Sequence, residues 1–206
     1  MNIEIRTATP EDADAAIPLI YSSGPAAFDY VFSHRTRISA KEFLHRVFQE
    51  PGGEFGFRNH VAVVCDGEVV GTGAAFSGEA ALSYTLAMLK GIFRHYGALG
   101  AFPVMRRGLQ LESIVRPPKG RLHYIAHLGV SPDRRSHGIG TRLVEHLLNE
   151  GRRLGRETGA LDVSVENPRA EALYERLGFR TTVEIPSNLE NQTARVPGHR
   201  RMELSL

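Results

Sequence analysis

A strand-like run, a glycine-broken turn and a helix-like run follow one another between Leu122 and Leu154. This succession narrows the possible folds more than any other stretch of the chain. The apolar segment Leu122 to Val130 leads into Arg135-Ser-His-Gly-Ile-Gly-Thr141, and Thr141 to Leu154 has helical spacing. The first turn of a helix leaves its backbone N–H groups without intrahelical partners, and the helix dipole adds positive potential there. The N–H groups of Ser136, His137, Gly138, Ile139, Gly140 and Thr141 therefore suit a phosphate or pyrophosphate. Gly138 and Gly140 matter because a side chain at either would hold the ligand off the backbone. The Arg135 guanidinium either contacts that phosphate or braces the loop. A lone Gly-x-Gly before a helix is common among tight turns, so its surroundings decide its meaning.

The surroundings alternate between strands and helices. Ile3, Ile5 and Thr7 alternate with polar residues and read as a first strand. Thr9 as N-cap with Pro10 behind it starts a helix to about Tyr21, interrupted by Pro18. Gly24 to Ser33 reads as a loop carrying Phe28, Tyr30 and Phe32. Ser39-Ala-Lys-Glu42 is a capping box for a second helix ending before Pro51-Gly-Gly53. His60 to Cys65 and Val69 to Ala75 form a hairpin about Asp66-Gly67. A further strand, Ala160 to Val165, precedes Asn167-Pro168, which reads as the start of a last helix. The order closes with one further strand after that helix, to which no residue bounds are given. The order gives an α/β fold in a single domain spanning residues 1–206. Within it, residues 76–120 read as an inserted helical pair, since Leu86, Leu89 and Phe93 recur at helical spacing. That pair covers an apolar sheet face, closes over a site as a lid, or makes a homodimer contact.

Composition removes several function classes. Lys+Arg of 25 against Asp+Glu of 23 leaves a net charge of +2, so nothing global implies a nucleic acid partner. One cysteine rules out an internal disulfide framework and a cysteine metal cluster, and the nine histidines show no metal-ligand spacing. Without an apolar signal core or a membrane-length apolar run, the expected setting is the cytoplasm. A dinucleotide-binding turn is excluded because the third glycine and a following acidic residue are missing. A nucleotide P-loop is excluded for want of Gly-Lys-Ser/Thr.

Two blocks in order, Leu128-Gly-Val-Ser-Pro-Asp-Arg-Arg-Ser-His-Gly-Ile-Gly-Thr141 and Val165-Glu-Asn-Pro-Arg-Ala-Glu-Ala-Leu-Tyr-Glu-Arg-Leu-Gly-Phe179, resemble those of the GNAT family of N-acetyltransferases. The resemblance is clear from Tyr124 to Phe179 and weaker over the first eighty or so residues. It implies the acyl-CoA N-acyltransferase fold, a mixed central sheet flanked by helices, with residues 76–120 inserted between the third and fourth strands. It implies acetyl-CoA as cofactor, with its pyrophosphate on the turn and its pantetheine arm along the backbone of Leu128, Gly129 and Val130. The Asn167 side chain would meet the pantetheine amide, although Asn-Pro is also an ordinary helix start. Ala170 would leave room for the arm, and Tyr174, two helical turns beyond Asn167, would act as general acid toward the departing thiolate.

The base is less determined by resemblance. His127 on the fourth strand is the better candidate, ahead of His123, Glu79 and Glu112, while Tyr124 falls where some relatives carry theirs. Resemblance also places the acceptor pocket near Phe28, Asp29, Tyr30, Phe32 and Tyr124. Aromatic rings around a carboxylate there would grip a cation, or else staple the loop. The implied activity is direct acetyl transfer to a primary amine in a ternary complex, preferably a small molecule. The alternatives are a protein or peptide amine, or a non-catalytic acyl-CoA-binding module. Cys65, inside an apolar strand, reads as an inert core residue.

Overall fold

In the computed structural model, which describes residues 3–33 and 39–206, the alternation of Ile3 and Ile5 forms edge strand β1 (Ile3–Thr7). A capping box follows, in which the Thr9 N–H donates to Asp12 Oδ2 at 2.8 Å and Arg6 grips the same carboxylate at 2.7 and 2.8 Å. One 3₁₀ turn later the chain enters α1 (Ala13–Ser22), with Pro18 inside it. The segment expected to be a loop is instead a helix, α2 (Pro25–Phe32). Gly24 and Pro25 are a helix start as much as a turn, since proline is tolerated at the first helical position. Burial of Phe28, Val31 and Phe32 stabilises it. Both halves of the expected capping box at α3 (Ala40–Phe48) are formed, between Ser39 and Glu42.

The hairpin of β2 (His60–Cys65) and β3 (Glu68–Phe76) turns through Asp66 and Gly67, both at positive φ. The insertion is α4 (Ala81–Leu111), two helical pieces separated at Gly97, whose φ of 68° a side chain would strain. The chain continues through β4 (His123–Val130), α5 (Ile139–Arg153), β5 (Thr158–Ser164) and α6 (Pro168–Arg176). The strand expected after the last helix is β6 (Arg180–Ile185), and a further strand, β7 (His199–Ser205), not expected from the sequence, completes a seven-stranded sheet in the order β1-β2-β3-β4-β5-β7-β6. Every pairing is antiparallel except β4 with β5.

Each face of the sheet has its own core. One collects Ile20, Phe28, Phe32, Phe43 and Phe48 beneath α1, α2 and α3. The other collects Ile125, Leu143, Leu147, Leu161 and Phe179 beneath α5 and α6. Full burial of each such side chain contributes about 1.5–3 kcal/mol. The insertion packs mainly on the helices of its own domain, and it meets the sheet where Tyr84 rests edge-on against Phe76 of β3. Its Ile92, Ala101 and Val104 join the core of α2 and α3. Tyr96 Oη donates to the Phe32 carbonyl at 2.6 Å, and Arg107 donates to that of Val31 at 2.7 and 3.0 Å. Leu82, Leu86, Phe93, Leu99, Phe102 and Leu109 stay exposed on its outer side. No helix among the described residues is long and apolar enough to cross a membrane.

Candidate active site

The parallel pair β4 and β5 is joined only at His123–Gly159 and Tyr124–Ala160. Beyond Tyr124 the strands part, so the β4 edge from Ile125 to Val130 is open toward β5. On its other side β4 carries a bulge: Thr72 pairs with Gly129 and Ala74 with Ala126, so two β4 residues oppose Gly73 alone. His127 lies in the bulge with a φ of 56°, a left-handed conformation that costs a non-glycine residue about 1–3 kcal/mol. Gly129 lies so close to α1 that a Cβ there would run into the Leu19 carbonyl. A cavity of about 1270 Å³ fills the split and continues beneath α4. Pockets for a single drug-sized ligand span roughly 300–1,000 Å³, so this one has room for two reactants.

At one end of the cavity the turn before α5 is shaped as a cradle. Ser136 and Gly138 adopt positive φ, and Gly138 is the N-cap of α5. Among the described residues, no acceptor takes the N–H groups from Ser136 to Thr141. Arg135 braces the loop, donating from Nε to the Val130 carbonyl at 3.1 Å, while Arg169 reaches Ser136 Oγ at 3.1 Å. Unpaired donors, a glycine with open space at its Cβ position and flanking guanidinium groups fit a diphosphate. Arg169 was not singled out from sequence; its place one position after Asn167-Pro168 was the available signal.

Of the residues expected at the cofactor, Leu128, Gly129, Val130, Arg135, Ser136, Gly138, Gly140, Thr141, Asn167, Ala170 and Tyr174 all line the cavity. His137 and Ile139 do not. The Ile139 side chain is in the core beneath α5, and the exposed His137 ring turns back onto the Arg135 carbonyl at 2.9 Å, so each offers the cavity only main chain. Asn167 caps α6 by accepting the Ala170 N–H at 3.2 Å, which leaves its Nδ2 to donate. Tyr174 is buried, no hydrogen bond engages its hydroxyl among the described residues, and burial pushes its pKa up to about 12.

The expected acceptor residues separate. Phe28 and Tyr124 line the cavity; Asp29 and Tyr30 do not. With Gly24 to Ser33 helical, Asp29 faces Tyr21 Oη at 2.6 Å and Ser33 Oγ at 2.7 Å, and Tyr30 Oη donates to Gln110 at 3.0 Å. The grouping of rings around Asp29 as a cation grip is therefore not formed. The Tyr124 hydroxyl is committed to Asp162 at 2.7 Å. Burial, with that carboxylate, raises its pKa well above the ordinary value and makes it unfit as a base. Arg201 neutralises Asp162 at 2.8 Å. Glu79 pairs with Arg156 at 2.7 Å, which lowers its pKa, and the His123 Nε2 is held by the Leu147 carbonyl at 2.8 Å.

His127 is placed differently. Its side chain is only 7% exposed, and its Nδ1 lies 3.0 Å from Nε2 of the fully buried His60. The other His60 nitrogen, Nδ1, is 3.0 Å from the Gly56 carbonyl, which can only accept, so that nitrogen carries a proton. Burial, reinforced by His127, depresses the His60 pKa to about 3, so His60 is neutral and its Nε2 is bare. His127 must then donate from Nδ1, which in the neutral ring leaves the lone pair on its Nε2. That Nε2 faces Glu54 Oε1 at 3.5 Å. His60 and Glu54 escaped sequence reasoning, because only the strand register and the bulge bring them to His127. Among the described residues, no three His, Cys, Asp or Glu side chains converge as metal ligands.

This fold and site define a class. The model of the acetyltransferase (GNAT) family matches residues 26–179, and the chain belongs to that family, whose members use acetyl-CoA. The chain is 43% identical over 53 residues to the ribosomal protein bS18-alanine N-acetyltransferase of Escherichia coli strain K12, covering 26% of this chain and 36% of that protein. The match thus spans little more than a third of that relative's length. It is 32% identical over 114 residues to the 5-NmdU N-acetyltransferase of Pseudomonas phage PaMx11, covering 53% of this chain and 71% of that one. An N-acetyltransferase structure from Staphylococcus aureus Mu50 has the same fold, with a TM-score of 0.70 at 19% identity over 98% of this chain and 100% of that one.

Proposed function

We propose that the protein transfers an acetyl group from acetyl-CoA directly to a primary amine, with both reactants in one cavity. The observation that carries this reading is the continuity of that cavity from the donor-rich turn, past Tyr174, to His127 and the space beneath α4. Acetyl-CoA, when bound, supplies an activated acyl carbon and a thiol leaving group. The N–H groups of Ser136 to Thr141, with Arg135 and Arg169, hold the diphosphate. The open β4 edge at Leu128, Gly129 and Val130, with Asn167 Nδ2, aligns the pantetheine arm. Ala170 leaves that arm space.

Tyr174 keeps its proton throughout the working pH range, since its pKa lies at about 12. It is therefore a donor toward a departing thiolate. His127 Nε2 takes the proton that the amine must lose, and His60 holds the ring in the productive tautomer. Cys65 is buried in β2 and does not line the cavity, so an acyl-cysteine intermediate has no place here. The acceptor is a small molecule on this reading, since residues of both α2 and α4 line the far end of the cavity. The test is an amine screen read by release of free CoA. Turnover that depends on a primary amine supports the reading, and acetyl-CoA binding with no turnover of any amine leaves a binding module instead.

A further inference from the structure

We infer that the acceptor is a monoamine: one primary ammonium on an apolar aryl or alkyl body. The nitrogen sits among His127, Glu54 and Glu112, and the body lies beneath α4. This rests on the transferase reading above and goes beyond it by naming the substrate class.

The nitrogen seat follows from an unmet hydrogen-bonding need. His60 fixes the His127 tautomer, so Nε2 of a side chain that is 7% exposed presents a lone pair to the Glu54 carboxylate at 3.5 Å. Two acceptors facing one another need a donor between them, and an ammonium group brings three N–H bonds. Charge points the same way. When His127 is neutral and able to act as a base, Glu54 has no cationic partner among the described residues. Glu112, exposed at the cavity rim where α4 ends, has its pKa raised by desolvation and by the like charge of Glu54. Arg116 also lines the cavity, and no ion pair joins it to Glu112 among the described residues. The third carboxylate on the lining, Asp162, is already neutralised by Arg201 and accepts a hydrogen bond from Tyr124. Thus four of the five lining arginines, Arg134, Arg135, Arg169 and Arg176, gather at the cofactor end, while Glu54 and Glu112, neither in an ion pair with an arginine or lysine among the described residues, stand at the other.

The body of the acceptor is defined by what surrounds the seat. Phe28, Phe55, Met88, Leu89, Ile92 and Met105 wall this end. The nearby hydroxyls are already engaged: Thr85 donates to the Ala81 carbonyl at 2.8 Å and Tyr84 to Asn59 Oδ1 at 2.6 Å. Asn59 in turn donates to the Glu54 carbonyl at 2.8 Å, so the roof helix and the Glu54 loop are tied together. A second ammonium at the far end of a diamine would lose its hydration against methionine and leucine with no carboxylate to meet it. The amides of a peptide would likewise find apolar walls. An aryl or alkyl body instead gains from leaving water, at about 25 cal/mol per Å².

The experiment compares phenethylamine and hexylamine with agmatine, spermidine and an alanyl tripeptide, using the full chain saturated with acetyl-CoA. In parallel, calorimetry titrates phenethylamine into the CoA-bound protein. We expect kcat/KM for the two monoamines to exceed that for the other three by at least about tenfold, equivalent to 1.4 kcal/mol. Glu54→Gln should raise the phenethylamine KM about tenfold and Glu112→Gln, at the exposed rim, about threefold, with acetyl-CoA affinity unchanged in both. Equal or better turnover of agmatine, spermidine or the tripeptide overturns the substrate class while the transferase reading stands. Phenethylamine binding without CoA release from any amine upholds the seat and overturns the transferase reading. Absence of both binding and turnover with the monoamines overturns the inference.

Discussion

Two buried pairs show how single residues acquire their chemistry here. Tyr124 and Tyr174 both line the cavity, but only Tyr124 is tied to a carboxylate. Tyr174→Phe should therefore spare acetyl-CoA binding and lower kcat about 10²-fold, the lower range for a general acid, as read by CoA release across pH 6–9. Unchanged turnover over that range would remove Tyr174 from the chemistry. The histidine pair makes a prediction about stability. The folded-state pKa of His60 is depressed to about 3, below its ordinary 6.5, so the unfolded chain binds the proton first. Stability is then full above about pH 7 and falls as pH drops from 6.5 toward 3, with a slope up to about 1.4 kcal/mol per pH unit. His123 and His199, also lowered by burial, act in the same direction. His60→Gln can still accept from His127, and should reduce but not abolish the slope in urea denaturation at pH 7, 6, 5 and 4. A slope unchanged by the substitution would mean that His60 is not the buried neutral group described here.

Elements that interrupt regular structure position the site. The β4 bulge re-aims His127, the short β4–β5 pairing opens the groove, and Gly97 lets α4 bend over α2. Gly97→Ala forces a side chain to φ 68° and ψ 175°, an essentially glycine-only region, which should cost about 1–3 kcal/mol in chemical denaturation. It should also raise the amine KM while leaving acetyl-CoA affinity alone. What was legible in the sequence follows the same division. The hairpin at Asp66-Gly67, the Ser39–Glu42 box, the turn at Gly138 and the Asn167-Pro168 start are local signals and were readable. The α2 helix was missed because Gly24-Pro25 and aromatic residues at mixed spacing look like a turn with a staple. Strand β6 is expected from the element order but not its bounds, and β7 is not expected at all; Arg180–Ile185 is mostly exposed and lacks the apolar alternation that marks a half-buried strand. The placing of Asp29, Tyr30, His60 and Glu54 depends on register and helix phase, which no local pattern encodes.

Across the whole molecule, charge and polarity are sorted along one cavity. Guanidinium groups and free N–H donors mark the end on α5 and α6, and carboxylates with apolar walls mark the end beneath α4. The sheet holds the two ends in register because β4 runs between them, with α1 packed directly on Gly129 through the Leu19 backbone. The account depends most on the donor turn being where acetyl-CoA binds. Calorimetric titration of acetyl-CoA into the native chain and into Gly138→Trp tests this directly, with thermal melts as a check on folding. The native chain should bind one equivalent and the variant should show no detectable heat, with both melting cooperatively. Equal affinity in the two proteins would place the cofactor elsewhere and contradict the account.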